Sequence, residues 1–491
     1  MAQILLTADR TLMSNYRGKE FLGFGTSAPP NIIPGWLYRL LIFPAVKNRH
    51  GVPVEAPYGL RKLEAKLLQQ GLDVLTVDPD HLKDFIGDAD VLGVHTMDPF
   101  GLGPSSTTFS RILNTGEPYL ASCFRAIFEN PEVGKAKQRG LKVFVGGPGA
   151  WQFRVRDRFQ HEYGIDFVIE GEADAIIGDF VRKALRGESL PKFYEVDYDD
   201  VPRIEDIADI KNPSINGLVE IGRGCPRGCR FCSVTLRPLR WYPFEKIEKE
   251  LSVNSKARLK GGILHAEDVL LYGSETTIPN REKVLKLHRL AKKYVPNFSW
   301  SHSSMAAIAT DAPLIEEISN LMLDENQRWW GAQIGIETGS PRLLRRAMPA
   351  KAHPFKPEEW PDVVKTAAGV MTDNGLFPAC TLITGLPEEE DSDVIATIEL
   401  IDDLEDFQSL IVPLFFVPLG RLKDEDWFKF EDVRDLQREL MIKCLQHDLR
   451  WARRLMDRYF EDKKFGWFYK DAFNLFVWLL ERRAKRECVL V

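Results

Sequence analysis

The chain has 491 residues, long enough for about three domains at ~150 residues each. With 44% hydrophobic and 28% charged residues and no low-complexity tract, it reads as a globular protein and not a disordered one. A net charge of -6 and a pI near 6.0 argue against a general phosphate-binding surface and leave room only for a local basic groove, so no nucleic-acid partner is expected.

From the N-terminus, "QILLTAD" reads as a first strand. It lacks the basic segment followed by a long apolar one that marks a secretory signal. "GWLYRLLIFPAV" is interrupted by Arg39 and is too short to cross a bilayer, so no membrane association is expected. "APYGLRKLEAKLLQQG" predicts a helix with Leu60, Leu63, Leu67 and Leu68 on one face, Pro57 near its start and Gly71 at its stop. Then come "LDVLTVD", "DVLGVH", "LKVFVGG" and "DFVIEG", nearly continuous apolar runs of the kind buried on both faces of a parallel sheet. Their following loops, "TMDPFGLGPSSTT", "GGPGAW" and "EGEAD", are rich in Gly, Ser, Thr or acid. In an open parallel sheet, ligands bind off the carboxyl ends of the strands. Residues 1–193 are therefore expected to form a doubly wound, Rossmann-like binding domain, with an acidic, proline-punctuated linker at 194–217.

From 218 the alternation restarts with "LVEIG", "GGILHAED", "FSWSHSS", "GAQIGIETG", "FPACTLITG" and "LIVPLFFVP", separated by helical stretches such as 279–294, 357–374 and 391–405. Six βα units predict a partial (β/α)6 barrel over 218–420, with chemistry at the carboxyl ends of its strands. Residues 421–491 read as a helical region, with amphipathic helices in "RDLQRELMIKCLQHDLRWARRLMDRYF" and "KDAFNLFVWLLERRAKR". The fold class is α/β.

Three of the seven cysteines fall within eight positions of "GRGCPRGCRFCSVTLRP": Cys225, Cys229 and Cys232. The other four, Cys123, Cys380, Cys444 and Cys488, have no paired spacing, which suits a reducing cytoplasm better than a disulfide framework. Closely spaced thiolates in a loop with Gly222, Gly224 and Gly228 suit a soft metal or an iron-sulfur centre. A structural zinc site needs four closed ligands, and no Cys or His follows within 30 residues to complete one. Three thiolates on a 4Fe-4S cube leave one iron open, as catalytic metal sites do.

This C-x3-C-x2-C spacing, with aromatic Phe231 before the third cysteine, resembles the radical S-adenosylmethionine (SAM) superfamily. The resemblance implies a 4Fe-4S cluster on the three cysteines, with SAM bound through its amino and carboxylate groups to the open iron and cleaved to a 5′-deoxyadenosyl radical. "HAED" resembles the family's Gly-Gly-Glu segment and implies that Glu267 or Asp268 contacts the methionine amino group. "QIGIETGSPRLLRRAM" is similar to the Gly-Ile-Glu-Ser/Thr segment, implying Glu337 and Thr338 near the ribose and Arg345 or Arg346 near the carboxylate. "ACTLITGLPEE" resembles the adenine-cradling segment, around Ile383 and Gly385. Ser301 and Ser303 of "SHSS" are further polar candidates. The residues alone also allow Glu337 to act as a helix N-terminal carboxylate and Arg345 as an exposed ion-pair partner.

A doubly wound module ahead of such a barrel resembles the cobalamin-binding subgroup of that superfamily, through "PYGLRKLEA", "VFVGGPGA" and "VIEGEADA". The resemblance implies tail-off cobalamin, carrying methyl as methylcobalamin, with its nucleotide tail among His95, Thr96, Ser105, Ser106, Gly146, Gly147, Glu170, Gly171 and Glu172. The Asp-x-His-x-x-Gly cobalt-ligand signature is absent after the first strand, where "ADRTLMSNYRG" stands. His95 is open to reading as a ligand or as a satisfied crevice histidine. The subgroup's common reaction is methylation of an unactivated carbon or phosphorus. "HTMDPFGLGPSSTTFSRIL", the length and the helical tail are similar to the methanogen enzymes that C-methylate a glutamine of methyl-coenzyme M reductase, implying its alpha subunit as protein substrate and a separate electron donor. A radical methylthiotransferase would need three further N-terminal cysteines, and only Cys123 is present there. A porphyrin-type radical cyclase and a non-catalytic cobalamin or iron-sulfur sensor are the remaining alternatives.

Overall fold

The computed structural model describes residues 2–18, 20–28, 34–112, 116–259 and 261–460, with isolated positions beyond. The predicted strands form in order: β1 Ile4–Ala8, β2 Val74–Thr76, β3 Val91–His95, β4 Lys142–Gly146 and β5 Phe167–Glu170. A sixth, β6 Phe193–Glu195, lies where the sequence reads as the start of the linker. It is short and half-exposed, an edge strand that needs only β5 to pair with, so it lacks the apolar run of a buried one. All pairings are parallel and the order is β2-β1-β3-β4-β5-β6.

Alternate residues of these strands feed two separate cores. Leu5, Leu92, Val94, Val143, Val145 and Val168 pack against Phe124, Ile127 and Val133 on one face. On the other, Ile4, Leu6, Val91, Phe144, Phe167 and Ile169 pack against Leu60, Leu67, Ile177 and Val181. Helices on both faces make this the doubly wound sheet expected from the continuous apolar runs.

Helix α1, Tyr58–Gln69, departs from the expected leucine face. Leu60 and Leu67 are buried and Leu63 is partly so, but Leu68 is 40% exposed. The helix instead buries Arg61, Lys62 and Glu64. Lys62 pairs with Glu250, and the same carboxylate accepts from the Tyr58 hydroxyl at 2.6 Å and the Ile210 N–H at 3.2 Å. Arg61 forks onto both Glu64 oxygens at 2.9 Å, and Thr76 donates to Glu64 at 2.7 Å. Buried charges are tolerated where each is paired and hydrogen-bonded, and here every one is.

Contacts divide the described chain into two compact units: residues 1–221, 240–264 and 290–298 in the first, and 222–239, 265–289 and 299 onward in the second. Glu250 belongs to helix α2, Phe244–Lys256, and its pairing with Lys62 joins that helix to α1 within the first unit.

The second half alternates strand and helix as predicted. Strands β7 Leu218–Glu220, β8 Gly261–His265 and β9 Asn297–Trp300 form a sheet in the order β9-β8-β7. The second unit holds β10 His302–Ser303, β11 Trp330–Glu337, β12 Leu376–Thr384 and β13 Leu410–Phe415, parallel and in sequence order. Burial alternates strictly along β12, one face packed and the other half-open, the pattern of a barrel strand. Helices α3 Arg281–Tyr294, α4 Met305–Thr310, α5 Pro341–Ala347, α6 Trp360–Asp373 and α7 Asp391–Asp403 intervene. Helix α8, Asp435–Phe460, fulfils the first amphipathic prediction of the C-terminal region and packs on β13 and α7. The second, "KDAFNLFVWLLERRAKR", falls almost wholly outside the described residues. Among the described residues no helix is long and apolar enough to cross a membrane.

Candidate functional site

Cys225, Cys229 and Cys232 sit in the loop after β7, all free thiols. Thr235 holds the loop's curl, its hydroxyl donating to the Cys229 carbonyl at 3.1 Å and the Cys232 carbonyl at 2.9 Å. The Arg230 N–H donates to the Ala347 carbonyl at 2.8 Å, tying the loop to the end of α5, and the Arg421 N–H donates to the Arg230 carbonyl at 2.7 Å. Burial pushes each of the three thiols up to about 11, so as free groups they are protonated at neutral pH and metal binding would release protons. Among the described residues no three Cys, His, Asp or Glu side chains converge closely enough to hold a single metal ion. Three thiols in one loop are soft donors of the kind that take one iron each in a multi-iron centre. Phe231 is half-buried beside them.

Of the neighbouring acids after β8, the structure separates two roles. Asp268 is 3% exposed, and its carboxylate is taken up by Ser304 at 2.5 Å, Ser303 at 3.1 Å and Arg227 at 3.3 Å. Glu267 is half-exposed and has no hydrogen-bond or ion-pair partner among the described residues. Its charge faces Cys225, Cys232 and His302. Of the two acids it is the one left available to accept a hydrogen bond from a ligand. The hydroxyls of Ser301 and Ser303 are engaged: Ser301 with the Ala266 backbone at 3.1 Å and Ser303 with Asp268. Both brace the Glu267 segment.

At the end of β11, Glu337 has φ of 68°, and the Thr338 N–H donates back to the Ile336 carbonyl at 2.9 Å, closing a three-residue turn. A non-glycine residue held there is strained, and such strain concentrates at functional sites. The turn brings the Glu337 carboxylate to Lys351 Nζ at 2.9 Å and to the Thr381 hydroxyl at 3.3 Å. Both partners of the pair are buried, with 8% and 7% exposure. Only glycine fits at 335, since a Cβ would lie 1.7 Å from Glu337 Oε1 and 2.7 Å from Lys351 Nζ. Burial alone would lower the Lys351 pKa, but the Glu337 carboxylate, by its charge and its hydrogen bond, raises it and holds the ammonium charged.

Arg345 is exposed on α5 and pairs with Glu358, so it is not brought to Glu337; Arg346 is likewise exposed and pairs with Glu388. The buried cation beside Glu337 and Cys229 is Lys351, which the sequence reading missed. It stands in "MPAKAHP", a loop with no periodicity, 14 positions beyond Glu337. Thr338 is 2% exposed and serves the scaffold: its carbonyl accepts from Trp360 Nε1 at 2.8 Å and its hydroxyl contacts Thr397. Ile383 lies on the half-open face of β12. Gly385, just beyond, has φ of 80° and lies against the Phe428 ring, 2.1 Å from where a Cβ would stand. Its N–H donates to Glu389 at 3.1 Å.

The residues expected to hold cobalamin lie at the carboxyl ends of β3, β4 and β5 and at the start of a helix, Pro104–Ile112. Thr96 Oγ1 and Ser106 Oγ are buried with no hydrogen-bond partner among the described residues, as is Ser110 Oγ. Buried hydroxyls are rarely orphaned, and two predicted ones orphaned together fit a polar ligand entering this crevice. Gly147 has φ of 108°, and a Cβ there would meet the Thr96 carbonyl at 2.6 Å and His95 Nδ1 at 2.7 Å. Gly146 and Gly171 similarly keep the backbone low, while Ser105 is half-exposed in the helix's first turn. His95 lies between Gly59 and Gly147, and burial lowers its pKa to about 4. It is a neutral crevice histidine. Two acids are spoken for: Glu170 pairs with Arg154 at 2.9 Å, and Glu172 with Arg240 at 2.6 Å.

Residues 219–401 match the family model described as the radical SAM superfamily. The chain is 25% identical over 300 residues to an uncharacterized methyltransferase of Pyrococcus horikoshii, covering 56% of this chain and 60% of that one. It is 24% identical over 277 residues to the tRNA-2-methylthio-N(6)-dimethylallyladenosine synthase of Fervidobacterium nodosum, covering 55% of this chain and 59% of that one. The chain therefore spans less than two thirds of either relative's length. In fold it is similar to the radical SAM methyltransferase TsrM from Kitasatospora setae, solved with cobalamin and a 4Fe-4S cluster bound, at a TM-score of 0.55 and 12% identity over 86% of this chain and 77% of that one.

Proposed function

We propose that this chain is a cobalamin-dependent radical SAM C-methyltransferase acting on an unactivated sp3 carbon, with a glutamine of the methyl-coenzyme M reductase alpha subunit as its substrate. The observation that carries the reading is the grouping of three free thiols, Cys225, Cys229 and Cys232, with charged side chains of both signs: Glu267 facing the thiols, and the Lys351–Glu337 pair beside Cys229. An amino-carboxylate chelating the open iron would offer the N–H groups of its bound amine to an acceptor and the oxygens of its carboxylate to a cation. Glu267 and Lys351 would fill those roles, Glu337 would hold the ribose, and Ile383 and Gly385 would hold the adenine. In the first unit, Thr96 and Ser106 offer hydroxyls, and Gly146, Gly147 and Gly171 offer close backbone approach, to a cobalamin nucleotide.

With these groups bound, the cluster and SAM supply a 5′-deoxyadenosyl radical and methylcobalamin supplies the methyl group. The chain's own residues would hold the methionine end in register, keep Lys351 charged through the Glu337 carboxylate, and exclude water from the reacting carbon. The reading includes an external electron donor and a reducing cytoplasm. The Pyrococcus relative's description as a methyltransferase supports the reaction class. The methylthiotransferase relatives favour another class, but their second cluster takes three more N-terminal cysteines, and this chain has one cysteine before Cys225.

The test is anaerobic incubation of the iron- and cobalamin-loaded protein with methyl-labelled SAM, a reductant and glutamine peptides of the reductase, read by mass spectrometry. One labelled methyl on a glutamine carbon, with 5′-deoxyadenosine released, is the expected outcome. Radical formation with no methyl transfer to any peptide would overturn the substrate, and absence of 5′-deoxyadenosine would overturn the enzyme class.

A further inference from the structure

Arg227 occupies a position between the first two cysteines where the loop could have carried any small polar residue. Its side chain is instead a buried guanidinium, 4% exposed. Nη1 donates to three carbonyls of one segment: Ala350 at 3.1 Å, Lys351 at 3.1 Å and His353 at 3.2 Å. Nη2 donates to Ser304 Oγ at 2.6 Å and to Asp268 at 3.3 Å. The backbone joins in, with the Ala350 N–H donating to the Arg227 carbonyl at 3.2 Å. The Nε–H, buried, has no partner among the described residues, so the group is not a saturated structural bridge.

Three chain segments meet on this one side chain. The first is the cysteine loop itself. The second, 350–353, carries Lys351, whose ammonium stands 2.9 Å from Glu337. The third carries Asp268, the neighbour of Glu267, with Ser304 capping α4 behind it by accepting from the Ala307 N–H. A planar, always charged fork is the side chain best able to hold several acceptors in fixed relation; a lysine at 227 could not make the set.

We propose that Arg227 is a positioning residue for the methionine end of SAM: it fixes Lys351 and, through Asp268, Glu267 at set distances from the cysteines. The inference rests on the radical SAM reading of this site. An amino-carboxylate held on one iron is a rigid two-point unit, so its cation and its acceptor must each be held within a fraction of an ångström. Arg227 would act through Lys351 and Asp268 and not by contact with the reacting atoms.

The test compares the wild-type full chain with Arg227→Gln and Arg227→Lys after anaerobic cluster reconstitution. Three quantities are read: iron per chain, SAM affinity from the change in the reduced cluster's electron paramagnetic resonance spectrum, and hydrogen exchange across 349–356. Both variants are expected to keep about four irons per chain. Arg227→Gln should lose SAM affinity by about tenfold or more with faster exchange at 349–356, and Arg227→Lys should recover only part of either. Wild-type affinity and wild-type exchange in Arg227→Gln would overturn the proposal. If Arg227→Gln takes up no iron, Ser304→Ala becomes the deciding variant, since it loosens the guanidinium without altering the cysteine loop; wild-type affinity there overturns the proposal equally. A wild-type chain that binds cluster but gives no spectral response to SAM would instead sink the radical SAM reading itself.

Discussion

His288 shows how one buried side chain ties pH to stability. Its Nδ1 lies 2.7 Å from the Val284 carbonyl, and its Nε2 accepts from Trp300 Nε1 at 2.7 Å. That pair of contacts fits only the neutral ring with the proton on Nδ1, because a second proton would face the tryptophan N–H. Burial lowers the folded pKa to about 4, against 6.5 for a free histidine. Between those values the unfolded chain takes up a proton that the folded chain refuses. Stability is therefore full above pH 6.5 and falls as pH drops toward 4, by about 3 kcal/mol from this residue. His95 and His447, also lowered to about 4, act in the same direction. Thermal melting from pH 7.5 to 4.5 should show a steady loss, and His288→Gln should flatten part of that slope while melting lower at pH 7.5. An unchanged slope in the variant would count against this account. At the same scale, the sequence named both Glu267 and Asp268 but could not separate them. Arg227 and Ser304, 41 and 36 positions away, engage Asp268 and leave Glu267 free.

Among elements, helix α1 departs most from its sequence pattern. A leucine stripe predicts one apolar face, yet the helix is buried on further sides through Arg61, Lys62 and Glu64. Amphipathic periodicity records only where apolar residues recur; it carries no information on whether a charged neighbour meets a partner 188 positions away, as Lys62 meets Glu250. Breaking such a pair leaves a buried charge alone. Lys62→Met should destabilise the chain by about 3–5 kcal/mol, read by denaturant unfolding, and the double variant Lys62→Met with Glu250→Gln should recover a large part. A loss below about 1 kcal/mol in the single variant would mean that the pair is as weak as a surface ion pair. Strands were more legible. Continuous apolar runs marked the first five strands of the first sheet, and alternation marked β12, because both patterns follow directly from which faces of a strand are covered. Edge strand β6 escaped because pairing on one side asks little of its side chains.

For the whole molecule, the groups fitted to the two cofactors fall in different compact units: the cysteines, Glu267, Glu337 and Lys351 in the second, and His95, Thr96, Ser106, Gly146 and Gly147 in the first. Cys229→Ala should accordingly lose cluster iron and SAM cleavage while cobalamin content stays near that of the wild type, measured by iron assay and visible absorbance. Equal loss of cobalamin would show that the two binding functions depend on each other. The α/β class, the order of strands and helices and the cysteine loop were legible in the amino-acid sequence, since each depends on neighbours a few residues apart: side-chain periodicity, turn residues and the C-x3-C-x2-C spacing. The tertiary structure alone decided that Lys351, and not Arg345, stands beside Glu337, that Asp268 braces while Glu267 is free, and that Thr96 and Ser106 are orphaned. Those outcomes turn on which polar groups lose water together, and contacts such as Arg227 with Lys351, 124 positions apart, exist only once the chain has folded.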